Sequence, residues 1–398
     1  PTPPPDAPAN VKDLIVTAHR TSSRSPARTP LSGLSGLSGL SGLSGALPRR
    51  GLLALGAAAA LAPALSACGG SAQPKSRAIA DGVPEKLRFA VIGSGKTGVP
   101  AALRYRLNGL DLGKELGGTT VTWPAGFTAS LPVMEAFSSG SVDFSFATAT
   151  AVAYAVGGGV PIVPLAAYPL PGDEVEILVP KDSPIRGASD LKGKRVADQK
   201  GTTGTYSLIK YLETAGLRLD DIEYVNLPAA DAESAFANGK VDAWISWQPA
   251  IGLARARHKA RSLPKVKTYD YSFYVASESF AKKYPEAVAK AVRVVRDAQR
   301  AINADPAKSV AFFAKIGGFG SQSLEREVYL ELTRDKRLSD SPADALAPVD
   351  RAAVESTQDL ADNFQALGVY PSKIDVAGFL RDSRFDSIRK TVAAELAT

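Results

Sequence analysis

From Lys86 onward the chain alternates short apolar runs of β type with segments whose hydrophobic residues recur every three or four positions. The run Leu87–Ile92 leads through the loop Gly93-Ser94-Gly95-Lys96-Thr97-Gly98 into an expected helix over Pro100–Asn108. Thr119–Trp123 predicts the next strand, followed by a Pro/Gly/Thr loop containing Thr128 and a helix near Leu131–Ser138. Further strands are expected at Val142–Ala147 and Val160–Tyr168, with a helix over Thr148–Val156 between them. A second alternating unit starts at Glu174. Its expected strands are Val175–Val179, Arg195–Asp198, Ile222–Leu227 and Val241–Ile245. Its helices are Thr205–Ala215, Ala230–Asn238 and a shorter one after Pro249. Strand-like Tyr271–Ala276 then returns. Beyond Ser279 the spacing reads helical almost throughout, at Ser279–Asn303, Ala307–Lys315, Leu324–Thr333, Asp350–Leu367 and Ser387–Ala397. Such alternation predicts an α/β fold with parallel-type sheets.

The two alternating units share a repeat. Ala136-Phe137-Ser138-Ser139-Gly140-Ser141-Val142-Asp143 aligns with Ala235-Phe236-Ala237-Asn238-Gly239-Lys240-Val241-Asp242, an A-F-x-x-G-x-V-D pattern in both. Physically it is a helix end with a buried Phe, a Gly suited to the left-handed stop, and an inward Val. The repeat predicts two similar lobes whose strand ends meet at a common cleft, where ligands of open α/β sheets bind. Those ends carry Ala147-Thr148-Ala149-Thr150 and Ser246-Trp247-Gln248-Pro249.

Ahead of this region the pattern is absent. Residues 1–48 carry no hydrophobic periodicity, and Leu31–Gly45 is a Leu-Ser-Gly repeat with nothing to pack. Arg49-Arg50 then opens an uncharged run, Gly51–Ala67, of signal-peptide length, and it closes Leu65-Ser66-Ala67-Cys68-Gly69. That ending matches the bacterial lipoprotein lipobox, with Cys68 at the lipidated position; the twin arginines also suit twin-arginine export. Residues 1–67 are therefore expected to be a low-complexity leader and lipoprotein signal peptide, and 68–85 a tether. The folded part is expected to sit outside the cytoplasm, held to the membrane through Cys68.

Composition narrows the chemistry. The net charge of +7 comes partly from the leader, and the remainder is too mildly basic to argue for nucleic acid. A single Cys excludes an intramolecular disulfide and a cysteine-cluster metal site. The two histidines, His19 and His258, sit in unrelated contexts, which disfavours a metalloenzyme or a His-dependent hydrolase. The basic run Arg255–Arg261 lacks interleaved aromatics and reads as a solvated helix face.

The candidate site centres on Arg195–Ser207. A strand enters the loop Gly201-Thr202-Thr203-Gly204 and a helix leaves it from Thr205, the recipe for holding an anion at a helix start. The loop itself has no nucleophile, strong base or carboxylate, so it holds a group rather than breaks one. Gly93–Thr97 invites comparison with a nucleotide P-loop, but Ala90 stands where that motif needs its first Gly. It fits better as a ligand loop of the first lobe, with Ser94, Thr97 and the cation of Lys96 as contacts. Trp247, between Ser246 and Gln248, is expected to form a cleft wall.

These residues resemble a family. Ile177–Ile185, Asp190–Val196 and Lys200–Tyr206 are similar to the second-lobe opening of the substrate-binding proteins of ABC importers for aliphatic sulfonates, taurine and nitrate. Glu135–Phe144 resembles that family's first-lobe corner, Val241–Pro249 its tryptophan-bearing strand end, and Phe273–Phe280 its return to the first lobe. The resemblance implies a two-lobed periplasmic-binding-protein fold of type II, with a helical C-terminal extension packing on the first lobe. It implies a first lobe of 86–170 with 272–398, a second of 171–271, and hinge closure on ligand. It further implies a non-enzymatic, monomeric binding protein without cofactor or metal, which passes a small organic anion to an ABC permease and serves sulfur metabolism. The anion-cradling positions map onto Thr148, Thr150, Gly201, Thr202, Thr203, Thr205 and Trp247, with Ser94, Lys96, Thr97, Thr128 and Gln248 added as contacts. Two departures bear on the ligand. Gln248 stands where many relatives have Asp, and Thr205 where a His or similar residue is usual. A sulfonate is the expected ligand, with nitrate, taurine or a neutral pyrimidine precursor as alternatives. A secreted enzyme would need a nucleophile–base pair that the loops do not offer, and an extracellular sensor could use the same fold.

Overall fold

The structure, a computed structural model, describes residues 81–170, 174–265, 270–338, 340–342 and 346–398. The leader, the expected lipidation site Cys68 and most of the tether lie outside the described residues. Strands β1 (Lys86–Ala90), β2 (Thr120–Thr122), β3 (Phe144–Thr148) and β4 (Ile162–Pro169) alternate with helices α1 (Gly98–Arg104), α2 (Leu112–Glu115), α3 (Ser130–Ser138) and α4 (Ala149–Gly157). The next stretch supplies β5 (Val175–Pro180), β6 (Arg195–Asp198), β7 (Glu223–Asn226), β8 (Ala243–Trp247) and β9 (Ala260–Ser262). Helices α5 (Thr203–Glu213), α6 (Ala229–Ala237) and α7 (Ala250–His258) lie among them. β10 (Tyr271–Ser277) then leads into α8 (Glu278–Lys283), α9 (Pro285–Ala304), α10 (Pro306–Gly317) and α11 (Leu324–Arg334). Three two-residue strands follow, β11 (Arg337–Leu338), β12 (Ser341–Pro342) and β13 (Ala347–Pro348), then α12 (Arg351–Ala366), α13 (Val376–Leu380) and α14 (Asp386–Leu396).

The strands form two large sheets, one per lobe, and both are mixed rather than parallel. The first has the order β13-β4-β10-β3-β1-β2 and the second β7-β6-β8-β5-β9. β1 runs parallel to β2 and β3, and β6 parallel to β7 and β8. β10 is antiparallel to both β3 and β4, and β5 to both β8 and β9. The parallel expectation fails at these two strands for a topological reason. Each is the strand by which the chain enters a lobe from the other one. Entering from the cleft side, it runs away from the cleft while its parallel neighbours run toward it. Apart from edge strand β13, the two sheets therefore have the same order, with the entering strand inserted next to the last.

Local chemistry explains other shifts from the expected boundaries. The long helix expected over Ser279–Asn303 is two helices, because Pro285 offers no N–H to continue α8 and instead starts α9. The strand expected at Val241–Ile245 begins at Ala243, two residues later. Val142 and Val241 are buried as anticipated, ahead of the strands rather than within them.

The repeated corner is built alike in both lobes. Phe137 and Phe236 are buried, and Gly140 and Gly239 both take φ of 67°, which a side chain would resist. Each corner then closes on an arginine of the neighbouring strand, Arg88 within β1 and Arg195 at the start of β6. Asp143 accepts from the Arg88 backbone N–H and Nε at 2.8 Å each, and also pairs with Nη2. Asp242 accepts from the Arg195 backbone N–H at 2.9 Å, from Nε at 3.2 Å and from Nη2 at 2.8 Å. The same two guanidinium groups also donate to the carbonyls of Gly140 and Gly239. The carboxylate beside Arg88 and the one beside Arg195 raise the affinity of each guanidinium for its proton.

Hydrophobic layers cover both faces of both sheets. On the first sheet α1, α9 and α14 pack one face and α3, α4, α12 and α13 the other. The C-terminal helices do pack on the first lobe, and they also reach the second. Tyr206 of α5 meets Phe364 of α12 edge to face at 5.7 Å. Lys210 Nζ donates to Asn363 Oδ1 at 2.8 Å, and Arg257 Nη2 to Glu325 Oε1 at 2.7 Å.

The corner clamp sets a measurable order of stabilities. Asp143 is withdrawn from solvent (side chain 7% exposed) and Asp242 less so (33%). Asp143→Ala strands the Arg88 donors in a part-buried place and should cost about 1–3 kcal/mol in urea unfolding. Asp242→Ala should cost less, because water replaces its contacts.

Candidate functional site

A cavity of about 300 Å³ lies between the two lobes, at the strand ends. The first lobe supplies the loop after β1, with Ser94, Gly95, Thr97 and Gly98, and Thr148 at the end of β3. The second supplies Thr202 and Thr203 at the start of α5, and Trp247 and Gln248 at the end of β8. Of the residues expected from sequence, the structure thus gathers Ser94, Thr97, Thr148, Thr202, Thr203, Trp247 and Gln248 around one space.

The other five lie off its wall, each for a visible reason. Lys96 is exposed, with its backbone N–H turned to Ser94 Oγ at 3.4 Å. Thr128 sits exposed at the rim, where its hydroxyl accepts from Gln199 Nε2 of the other lobe at 3.4 Å. Thr150 is buried behind Thr148, the two hydroxyls 2.8 Å apart, and its carbonyl accepts from Tyr370 Oη at 3.0 Å. Gly201, at φ of 82°, is where the lobes approach: a Cβ there would lie 2.9 Å from Leu131 Cδ1 of the first lobe. Thr205 is fully buried and committed to the loop itself. Its hydroxyl accepts from the Gly201 N–H at 2.9 Å and donates to Asp198 Oδ2.

Asp198 is the part of the loop that its spacing did not reveal. As the last residue of β6 it turns under the helix start, where Tyr224 Oη also donates to it at 2.8 Å. A Cβ on Gly204 would come within 2.7 Å of Asp198 Oδ1, so only glycine admits the carboxylate there. A negative group at a helix N-terminus is favourable. In this loop the chain provides that group itself, below the surface.

Four further features were not anticipated. Gln248 is 1% exposed; its Oε1 accepts from the Gly252 N–H at 3.2 Å, capping α7, while Nε2 has no partner. Thr203 Oγ1 is likewise buried without a hydrogen bond of good geometry, and lies close enough to Asp270 to ease that carboxylate's ionisation. Glu174 and Asp340 both line the cavity, so carboxylates reach the site from outside the carboxylate-free Gly201–Gly204 loop. Aromatic rings of Phe89, Phe146, Tyr274 and Tyr329 complete the wall on the first-lobe side. Glu174 sits at the expected crossover, a usable signal. Asp340 and Tyr329 lie far along the chain among helical segments, and nothing local marks them.

Burial pushes the carboxyls of Asp198, Asp270 and Asp340 up to about 6 each. Polar neighbours oppose the shift in each case: hydrogen bonds from Thr205 and Tyr224 to Asp198, from the Tyr271 N–H to Asp270 with Thr203 Oγ1 close by, and from Val99 and Ser341 to Asp340. Among the described residues no cluster of His, Cys, Asp and Glu could hold a metal ion.

The raised acids fix the sign of a pH effect. Unfolded, each ionises near 3.8; folded, each holds its proton to about 6, so the fold binds more protons in that window. Their contribution to stability is greatest below about 4 and is lost as pH rises through 6. Asp190, Asp242 and Glu325 are shifted downward and act at lower pH. Calorimetric melting should therefore show Asp198→Asn with a smaller loss of Tm between pH 5 and 7 than the unmodified protein. An unchanged loss would mean that Asp198 titrates normally.

Comparison with known proteins places this geometry. Residues 127–309 match the family profile described as NMT1/THI5 like. A protein of Escherichia coli (strain K12) named for binding aliphatic sulfonates is 28% identical over 299 residues, 75% of this chain and 89% of the relative. The taurine-binding periplasmic protein of the same organism is 28% identical over 193 residues, 48% of this chain and 59% of its own. In three dimensions the chain matches the alkanesulfonate-binding protein SsuA from Xanthomonas axonopodis pv. citri, solved bound to MOPS. The TM-score is 0.65 at 27% identity, over 75% of this chain and 98% of that one. These relatives are named as binding proteins, not as enzymes. The chain thus has the two-lobed periplasmic-binding-protein fold, carries an NMT1/THI5-like segment over 127–309, and is similar to the sulfonate- and taurine-binding proteins of that fold.

Proposed function

We propose that this chain is an exported solute-binding protein that captures a small organic anion, an aliphatic sulfonate first among them, and hands it to an ABC importer. The observation that carries this reading is the pairing of an interlobe cavity with an unused donor. Gln248 Nε2 is buried at the cavity wall with both hydrogens unclaimed, a costly arrangement unless a ligand accepts from it. At the start of α5 a capping box between Thr202 and Thr205 takes two of the free N–H groups, and the first-turn N–H groups that remain beside Thr203 favour negative charge. A sulfonate suits such donors because it is ionised at any physiological pH. Trp247 would cover its organic part.

The two parts of the chain, 86–170 with 272–398 and 171–271, would act as closing lobes. Contacts at the rim, such as Thr128 with Gln199 and Leu131 beside Gly201, would break and reform as ligand enters and leaves. Export and anchoring rest on Leu65–Gly69 closing the uncharged run after Arg49-Arg50. Among the described residues no helix is long and apolar enough to cross a membrane. In this reading the attachment is the lipid on Cys68.

Two measurements check these proposals. Calorimetry with ethanesulfonate to butanesulfonate should show binding to the purified protein. Gln248→Glu keeps the acceptor that caps α7 and replaces the two donors, so affinity should fall roughly tenfold or more at neutral pH with folding intact. Equal affinity in both proteins would remove Gln248 from the anion site. For the anchor, Cys68→Ala expressed in a bacterial host should leave the protein unprocessed or free of membranes; unchanged fractionation and mass would refute lipidation.

A further inference from the structure

A glutamine amide can offer a ligand either its oxygen or its NH2 group. At Gln248 the choice is made by the first turn of α7. Oε1 is taken by the Gly252 N–H at 3.2 Å, so the NH2 group is the end left for the cavity. This bond is buried, and the side chain that covers it comes from a different part of the chain.

A Cβ on Gly252 would lie 2.7 Å from Val328 Cγ1 of α11, 3.4 Å from Gln248 Oε1 and 4.0 Å from Leu332 Cδ1. Only glycine lets α11 rest this closely on the turn that holds Gln248. Val328 and Leu332 are buried, and Leu253 of α7 packs against the same first-sheet core as they do. Two ion pairs flank the contact, Arg257 of α7 with Glu325 of α11 at 2.7 Å and Arg337 with Glu176 of β5 at 3.5 Å. The residue after Val328, Tyr329, lines the cavity, where its hydroxyl accepts from Thr97 Oγ1 at 3.4 Å. One helix thus meets the ligand space with one residue and the support of Gln248 with its neighbour.

We propose that Gly252 and Val328 are positioning residues of the anion site, whose contact across the lobes holds the Gln248 amide with its NH2 group toward the cargo. This rests on the anion reading given above and adds to it a reason for binding to depend on the approach of the lobes. With α11 lifted from α7, water reaches the Gly252–Gln248 bond, and the amide is free to turn its oxygen to the cavity, where it repels an anion. With α11 in place, water is excluded and the donor is fixed before the cargo arrives.

An exchange of volume across the joint tests this. Gly252→Ala adds a methyl where Val328 sits, and Val328→Ala removes the methyls it would meet. Calorimetry with butanesulfonate at neutral pH should show binding about tenfold weaker or more in Gly252→Ala and about fivefold weaker in Val328→Ala. The double variant should recover to within about twofold of the unmodified protein. Alanine suits a helix interior better than glycine, so α7 itself is not weakened by Gly252→Ala. Single variants that lose Tm but keep their affinity would show a role in stability alone and overturn the proposal. So would a double variant as weak as Gly252→Ala. A second readout needs no ligand: exchange of the amide hydrogen at position 252, followed by NMR, should quicken about tenfold or more in Val328→Ala and slow again in the double variant. Unchanged exchange in Val328→Ala also refutes the joint. Should butanesulfonate bind none of these proteins, the anion reading falls and the exchange rates decide the joint by themselves. Val328→Ala and the double variant carry the test if Gly252→Ala fails to fold.

Discussion

The architecture depends on one constraint: the chain passes between the lobes twice, and described ends of the two passes are bonded to each other. The Leu170 N–H donates to the Asp270 carbonyl at 2.9 Å, tying the end of β4 to the start of β10. That pairing makes each entering strand antiparallel within its new sheet, β5 in the second lobe and β10 in the first. It also turns the ends of the parallel strands in both lobes toward one space. The cavity is the consequence, since strand ends leave loops and helix starts whose backbone groups need partners. The helices after β10 close the arrangement, covering the first sheet and touching α5 and α7 of the second lobe.

Within that frame the protein uses desolvated carboxylates more than its loops suggest, Asp198 and Asp270 buried and Asp340 partly so. Asp198 holds the α5 start from beneath, Asp270 lies beside Thr203 at the second crossing, and Asp340 binds the start of α1. Each accepts bonds from neutral donors, and burial raises each toward neutrality. They are costly groups and they fix loops in place. Gly204 and Gly98 leave the room that two of them occupy, for a Cβ at either glycine would meet the carboxylate at 2.7 Å and 2.0 Å. The fold therefore presents both donors and acids around one cavity.

The sequence by itself determined the elements and the division into two lobes. Hydrophobic periodicity is a local property, and β6, α7 and most other elements fall where their residues repeat. The A-F-x-x-G-x-V-D repeat disclosed the twofold plan, because a left-handed glycine after a buried Phe is a requirement of the backbone itself. Loop residues adjoining strand ends, such as Thr148, Thr203 and Gln248, were likewise legible, since position along a strand already points to the cleft. Tertiary structure alone decided what those residues face. The role of Asp143 and Asp242 as partners of Arg88 and Arg195 needed strands 55 and 47 residues apart to become neighbours. Thr205 resembled a ligand contact until Asp198 was seen beneath it. Asp340 joins Val99 across 241 positions of chain, and no spacing rule spans that distance. Pattern along a sequence reports which face of an element is buried; the partner waiting on that face is supplied by another segment, and only folding brings it there.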